Sequence, residues 1–554
     1  MRPARKKNLI FGLMVASFLI TAGQDAAAYR PESGRFEAST NQTRNVPRHA
    51  LVVPDHFDRG LLAAAANGLP VYADASRAKL KRSQAQRHQS KHSRATRMGR
   101  FMRLFSHRPK TITAEHAARL IQPGENVFMP VGHSVAHSVE KALVKRAQTG
   151  LDASNPVQIV GLANTASKRL FNDTGTKIIP SALFMGPNTR EAVASGEGEF
   201  TPVFLHRVPR LIRENKIPVD TALIQVSTPD ALGYVSLGAS TAVTPAAIAK
   251  AKTVIAEMSP NVPRTNGAAR VHISQLDYVV KSEIKLREMP AARVGDVEKK
   301  IAEFIVKGDG TIGPLVPKKP TLQFGIGGIP DAVAAELANS GRRDLRIKSE
   351  MISDGVMNLV EAGAVRGKVE YSFAMGSERM IRWLDRNPKL RANTTEKVNN
   401  PAKLGKVRRL VAINSALRVD LRGQINAQYV RDRWYSGVGG QVDFMRGAMT
   451  SKGGSAILAL SATATIKGEN GEKKVVSRIV PKLGEGDVVT TSMHDVQYVV
   501  TEFGIADLDG KTADERQEAL IEVAAPQFRE GLRRDLAGQR EALIAQQTVD
   551  ATSR

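Results

Sequence analysis

The chain has 554 residues, 42% hydrophobic and 24% charged, a length and composition that suit more than one folded domain. It contains no cysteine, which excludes disulfides, thiolate metal sites and cysteine nucleophiles. The formal net charge of +26 resembles that of a nucleic-acid binder, but residues 1–110 carry 21 Lys and Arg against 6 Asp and Glu, leaving only +11 on the rest. With aromatics at 5%, the body lacks the stacking residues such a binder uses, and no nucleic-acid partner is expected.

Arg2, Arg5, Lys6 and Lys7 precede an apolar run over residues 8–23, and Ala26-Ala27-Ala28 supplies the small residues a signal peptidase accepts. Residues 1–28 therefore read as a secretory signal; the run is short for a spanning helix and Asp25 closes it. A misassigned start codon is the alternative. Residues 29–110 form a basic extension, with no acidic residue from Ser76 to Ala114, and should be disordered or surface-bound when isolated. Within it, residues 97–105 (RMGRFMRLF) mix cations and apolar residues at helical spacing. That pattern fits peripheral contact with an anionic membrane or a transit-like signal, the alternative being a solvated linker.

Past Lys110 the pattern changes. Apolar runs at 127–131, 157–162, 222–226 and 253–258 alternate with helical patterns such as 138–146, and a second set of strands is expected at 322–326, 345–347, 411–414, 456–460 and 498–501. This is the signature of an α/β fold with buried, mainly parallel strands. Pro290, the Gly308-Asp309-Gly310 turn and Pro314 to Pro320 punctuate the middle, so two tandem open-sheet domains are predicted over 111–300 and 301–545. Such a pair holds its ligand in a crevice at the strand ends.

Three stretches could carry chemistry. Gly132-His133-Ser134-Val135-Ala136 resembles a nucleophile elbow but lacks the final glycine, and its serine would need a downstream acid and a histidine such as His494. A turn lining a pocket is the simpler reading. Gly325-Ile326-Gly327-Gly328-Ile329 joins a strand to the helix that starts near Asp331, where bare backbone amides and a helix start can approach an anion. Pro330 rules out a dinucleotide fingerprint, and a purely structural turn stands beside the anion-binding reading. Gly437-Val438-Gly439-Gly440 is a second cluster able to bring amides to an oxyanion, or else a tight turn. Between the two loops, a short alternating strand delivers Glu350 at its carboxyl end. By pattern alone such a residue is a solvated or ion-paired carboxylate; facing two glycine loops, it can also attack an acyl group.

From about Ile112 to Gly538 these residues form an ordered series. It runs through 218–230 (PVDTALIQVSTPD), 233–238 (GYVSLG), 263–265 (PRT), 322–331, Ser349-Glu350-Met351, Asn414-Ser415-Ala416, 437–444 and 500–506 (VTEFGIA). The series resembles the acetyl-CoA hydrolase/4-hydroxybutyrate CoA-transferase family. The resemblance implies two CoA-transferase-type α/β domains and a reaction in which Glu350 carries an acyl-glutamyl anhydride and then a glutamyl-CoA thioester. It implies that residues 325–329 contact coenzyme A with the Ile326 amide as an oxyanion donor, that Gly437, with Gly439 and Gly440, faces the oxyanion, and that Asn414 and Arg433 contact CoA. Arg433 stands in place of a lysine, keeping charge but changing donor geometry.

Further implied are an acyl-CoA and a short-chain carboxylate as substrates, coenzyme A as a substrate with no permanently bound cofactor or metal, and a homodimer or higher homo-oligomer. Acetyl-CoA hydrolysis at the same site is the close alternative, a serine hydrolase at Ser134 or a CoA-binding scaffold the distant ones. Ser259 and Ala525 depart from the family pattern, where asparagine and histidine are common, and leave the acyl substrate open. The implied chemistry belongs to the cytoplasm or an organelle matrix, whereas a signal segment points to the periplasm or secretion.

Overall fold

In the computed structural model, residues 107–289, 292–430, 432–467 and 470–552 are described. The signal-like segment 1–28 and the basic stretch 97–105 lie outside them.

The first half is built on eight parallel strands: β1 (Lys110–Thr111), β2 (Asn126–Met129), β3 (Val157–Gly161), β4 (Ile178–Ala182), β5 (Glu199–Phe200), β6 (Thr221–Val226), β7 (Thr253–Met258) and β8 (Tyr278–Lys281). Their order across the sheet is β1-β8-β7-β6-β2-β3-β4-β5, every neighbouring pair parallel. All six residues of β6 are buried, as expected of a strand covered on both faces. Lys110 and Thr111 pair with Tyr278 and Val279, so the chain joins this sheet at those residues.

The second half repeats the plan with β9 (Thr321–Phe324), β10 (Arg346–Ile352), β11 (Val369–Ala374), β12 (Leu390–Ala392), β13 (Leu410–Ser415), β14 (Ser455–Ala459), β15 (Tyr498–Thr501) and β16 (Gly504–Asp507). The order is β12-β11-β10-β9-β13-β14-β15-β16, parallel except for the β15–β16 hairpin. The fold is the expected α/β class. The helix Asp296–Lys307 packs against the helix Gly328–Asn339 of the second half.

Backbone hydrogen bonds stitch the halves together. Thr241 and Ala242 amides donate to Ser372 O, the Ala374 amide donates to Ala239 O, and Asn266 O and Ala268 N pair with Ala392. Gly267 makes the last contact feasible, because at φ +99° any Cβ would collide with Ala392 O. One hydrophobic core runs through both halves, from Phe128 and Ile224 to Phe324, Tyr371 and Ile413. A shared core fixes the two sets of strand ends relative to one another, so side chains from both halves can meet at one site.

Candidate active site

β9 and its neighbours β10 and β13 lie at the centre of the second sheet, and the loops at their carboxyl ends form the floor of a crevice. β9 runs into Gly325–Gly327 and then the helix Gly328–Asn339. β10 extends two residues beyond Glu350, further than the three-residue strand predicted from sequence, and its exposed-buried alternation turns Glu350 off the core face. The helix Gln441–Thr450 begins beside it with Gly440 as N-cap. A cavity of about 360 Å³ opens here, and it brings together Gly325, Ile326, Gly327, Glu350, Asn414, Gly437, Gly439 and Gly440.

The half-buried Glu350 carboxylate is held on one side only. Asn399 Nδ2 donates to Oε2 at 2.6 Å, and the start of the helix at Gly440 lies against the same oxygen. A Cβ at Gly440 would overlap both Glu350 Oε2 and Asn399 Nδ2, so only glycine lets the helix start come this close. Burial pushes the Glu350 carboxyl up to about 7; the Asn399 bond and the Gly440 amide pull it down, and the Asp443 charge adds to the rise. At neutral pH the group thus stands near the midpoint between acid and nucleophilic carboxylate.

The first half supplies the opposite wall. Phe184, just after β4, packs against Gly437 and Gly439, where a Cβ would press on its backbone and ring. Leu205 donates its amide to Gly439 O at 3.1 Å. Beside Glu350 lies an apolar chamber of about 20 Å³, bounded by Val131, Leu162, Phe184, Leu205, Phe373 and Met375. Arg190 guards the other end: its guanidinium sits 3.6 Å from the centre of the Tyr435 ring and donates to Tyr435 O. Beyond that pair a second cavity of about 700 Å³ is lined by Arg190, Arg433, Trp434 and Tyr435.

The remaining sequence-predicted residues are distributed as follows. Gly328 and Ile329 stand outside the cavity in the first turn of the helix, where Ile329 is buried and Gly328 abuts Arg293 O. Asn414 lines the cavity, but its amide is paired in both directions with Gln323. Arg433 is exposed and belongs to the second cavity. Ser134 is buried and donates to Leu237 O, and His494 is exposed on the turn Met493–Asp495, so the turn after β2 lies outside the Glu350 cavity. Sequence reasoning missed Phe184, Arg190, His206 and Asn399. None sits in a recognisable local pattern, though Asp443 lay in the quoted 437–444 stretch.

Among the described residues no cluster of three or more His, Asp or Glu could hold a metal ion, and no helix is long and apolar enough to cross a membrane.

Known proteins share this architecture. Residues 96–289 match the acetyl-CoA hydrolase/transferase N-terminal domain and residues 376–536 the corresponding C-terminal domain, with Glu350 in the interval between them. The chain is 42% identical to the 4-hydroxybutyrate coenzyme A transferase of Clostridium kluyveri, over 77% of this chain and 97% of the relative. It is 36% identical to the succinyl-CoA:cyclohexane-1-carboxylate CoA transferase of Geobacter metallireducens, over 76% and 94%. The crystal structure of RipA from Yersinia pestis superposes with a TM-score of 0.69 at 30% identity, covering 78% of this chain and 98% of that one.

Proposed function

The chain belongs to the acetyl-CoA hydrolase/transferase family and is an enzyme; from that premise we propose that it moves coenzyme A between a short-chain acyl-CoA and a carboxylate, with Glu350 as the covalent carrier. The observation that carries this reading is the Glu350 carboxylate, held from behind by Asn399 and the Gly440 amide and facing a cavity between two glycine loops.

A Glu350 oxygen attacks the thioester carbonyl, the carbon–sulfur bond breaks, and CoA leaves as thiolate, giving an acyl-glutamyl anhydride. The thiolate attacks the glutamyl carbonyl, expelling the first carboxylate and leaving a glutamyl-CoA thioester. An incoming carboxylate attacks that carbonyl and frees the thiolate again. Attack of the thiolate on the new acyl carbonyl then releases the product and restores Glu350. Amides of the Gly325–Gly327 and Gly437–Gly440 loops supply donors for each tetrahedral oxyanion. The Asn399 bond and the nearby Gly440 amide favour the ionised, attacking form, and the Asn399 bond fixes its direction.

The substrate class follows from the two ends of the crevice. The apolar chamber beside Glu350 has space for about one water-sized group before its walls move. That size favours acyl chains of few carbons. The second cavity, with Arg190 and Arg433 for phosphates and Trp434 for stacking, suits the nucleotide end of CoA. Hydrolysis by the same residues requires only that water reach the anhydride or the thioester.

The test is thiol release from acetyl-CoA by the full-length enzyme, with and without added short-chain carboxylates. A transferase releases little thiol alone and forms a new acyl-CoA when the acceptor is present. Thiol release at an equal rate without acceptor would instead make the enzyme a hydrolase.

A further inference from the structure

The turn Phe204-Leu205-His206 of the first half is clamped onto the start of the helix Gln441–Thr450 of the second. The Leu205 amide bonds Gly439 O, the His206 amide donates to Asp443 Oδ2 at 3.3 Å, and His206 Nδ1 donates to Asp443 Oδ1 at 2.7 Å. The Phe204 ring lies 5.6 Å from the Arg446 guanidinium on the same helix. Asp443 is 2% exposed, so its carboxylate depends on these partners.

Asp443 is the third residue of a helix whose N-cap is Gly440. An acidic side chain at that position ordinarily reaches back to the N-cap amide, closing a capping box. Here it does not: Asp443 is turned to His206, no capping box closes on Gly440, and the Gly440 amide lies beside the Glu350 carboxylate instead. Asp443, from the third helical position, and Glu350, from β10, thus flank one backbone donor, and His206 engages the first of them.

We infer that His206 is a positioning residue: by engaging Asp443 across the boundary between the halves, it reserves the Gly440 amide for Glu350. This inference rests on the reading of Glu350 as nucleophile. The charged groups around the pair are few. Arg446, one turn further along the helix, is itself paired with Asp495 through Nε and an Nη, and Glu350 is the other carboxylate near Asp443. Without the imidazole, Asp443 can swing back to the Gly440 amide. Glu350 then loses a donor that favours its ionised form while its anionic neighbour stays, and it becomes harder to ionise.

The experiment is the pH profile of kcat/KM and the separate kcat and KM values of the full-length enzyme, for wild type, His206→Ala, His206→Asn, Asp443→Ala and His206→Ala/Asp443→Ala. With His206→Ala, the acid limb should move up by about 0.5–1 pH unit, so kcat/KM falls roughly tenfold at low pH and only about twofold on the alkaline plateau. KM for acetyl-CoA should change little. Asn supplies a donor where Nδ1 stood, and His206→Asn should recover at least about half of the shift.

Asp443→Ala should move the limb down, and adding His206→Ala to it should shift nothing further. A purely structural role predicts losses equal at every pH and a double variant that adds the two single effects; either result overturns the inference. Glu350→Ala in the same assay separates the two levels. If it retains turnover, the nucleophile reading fails. If it is dead while the limb of His206→Ala stays in place, only the role of His206 fails.

Discussion

The turn after β2 and the turn after β9 occupy equivalent places, each at the carboxyl end of a central parallel strand and each marked by glycine. They differ in what their polar groups already touch. After β2, His133 Nδ1–H donates to Arg287 O, its Nε2 accepts from the Gly376 amide, and Ser134 donates to Leu237 O, all in a buried setting. Burial also holds His133 below the usual imidazole range, keeping it the neutral bridge those two bonds require. After β9, the glycine loop borders a cavity, and the carboxylate from β10 has partners on one side only. A serine or histidine whose protons are bonded to core backbone is a girder. A carboxylate held from behind and open in front is a reagent. The comparison shows why a G-x-S turn alone identifies no active site.

The variant that would break this comparison most severely is Glu350→Gln. Turnover should fall by on the order of 10⁴-fold or more, because among the described residues no other carboxylate lines the cavity to carry the acyl group. The same variant should stabilise the protein at alkaline pH. A carboxyl raised from 4.5 to about 7 on folding contributes stability that is fully present below about 4.5 and lost as pH rises through about 7. Removing the charge should therefore add about 1–3 kcal/mol at pH 8 and nothing at pH 4, measurable by denaturant unfolding at the two pH values.

Asn399→Ala should lower kcat by roughly 10- to 100-fold and move the acid limb above its wild-type position near pH 7, since it removes the strongest bond to the ionised form. Steady-state rates between pH 5.5 and 9 would read both effects. Leu162→Ala should widen the chamber beside Glu350 and shift selectivity towards acyl chains one or two carbons longer by about tenfold in relative kcat/KM. Paired assays with acetyl-, butyryl- and hexanoyl-CoA would show it. Smallest of all, Ser134→Ala should change kcat by less than about threefold, with a stability loss of about 1 kcal/mol from its lost hydrogen bond. A large activity loss there would contradict the contrast between the two turns.

Much of the sheet framework was legible in the sequence. β7 and β15 fall where the apolar runs placed them, at Thr253–Met258 and Tyr498–Thr501, because a strand buried on both faces is a continuous hydrophobic segment. β4 escaped because Pro180 and Ser181 interrupt its run, and β12 because three residues make no period. The nucleophile candidate could be named through the family resemblance, since by its own strand and the two glycine loops Glu350 reads as an ordinary strand-end carboxylate. Its environment could not. Phe184, His206, Asn399 and Asp443 come from four separate segments, and only the shared core brings them to one carboxylate. Local periodicity carries no record of such long-range meetings.

The most direct test of the central claim is to trap the covalent enzyme. Full-length protein incubated with acetyl-CoA, treated with borohydride, digested and mapped by mass spectrometry should carry its modification on the peptide containing Glu350, and on no peptide of Glu350→Gln. Modification at Ser134, or full turnover with Glu350 never modified, would contradict it.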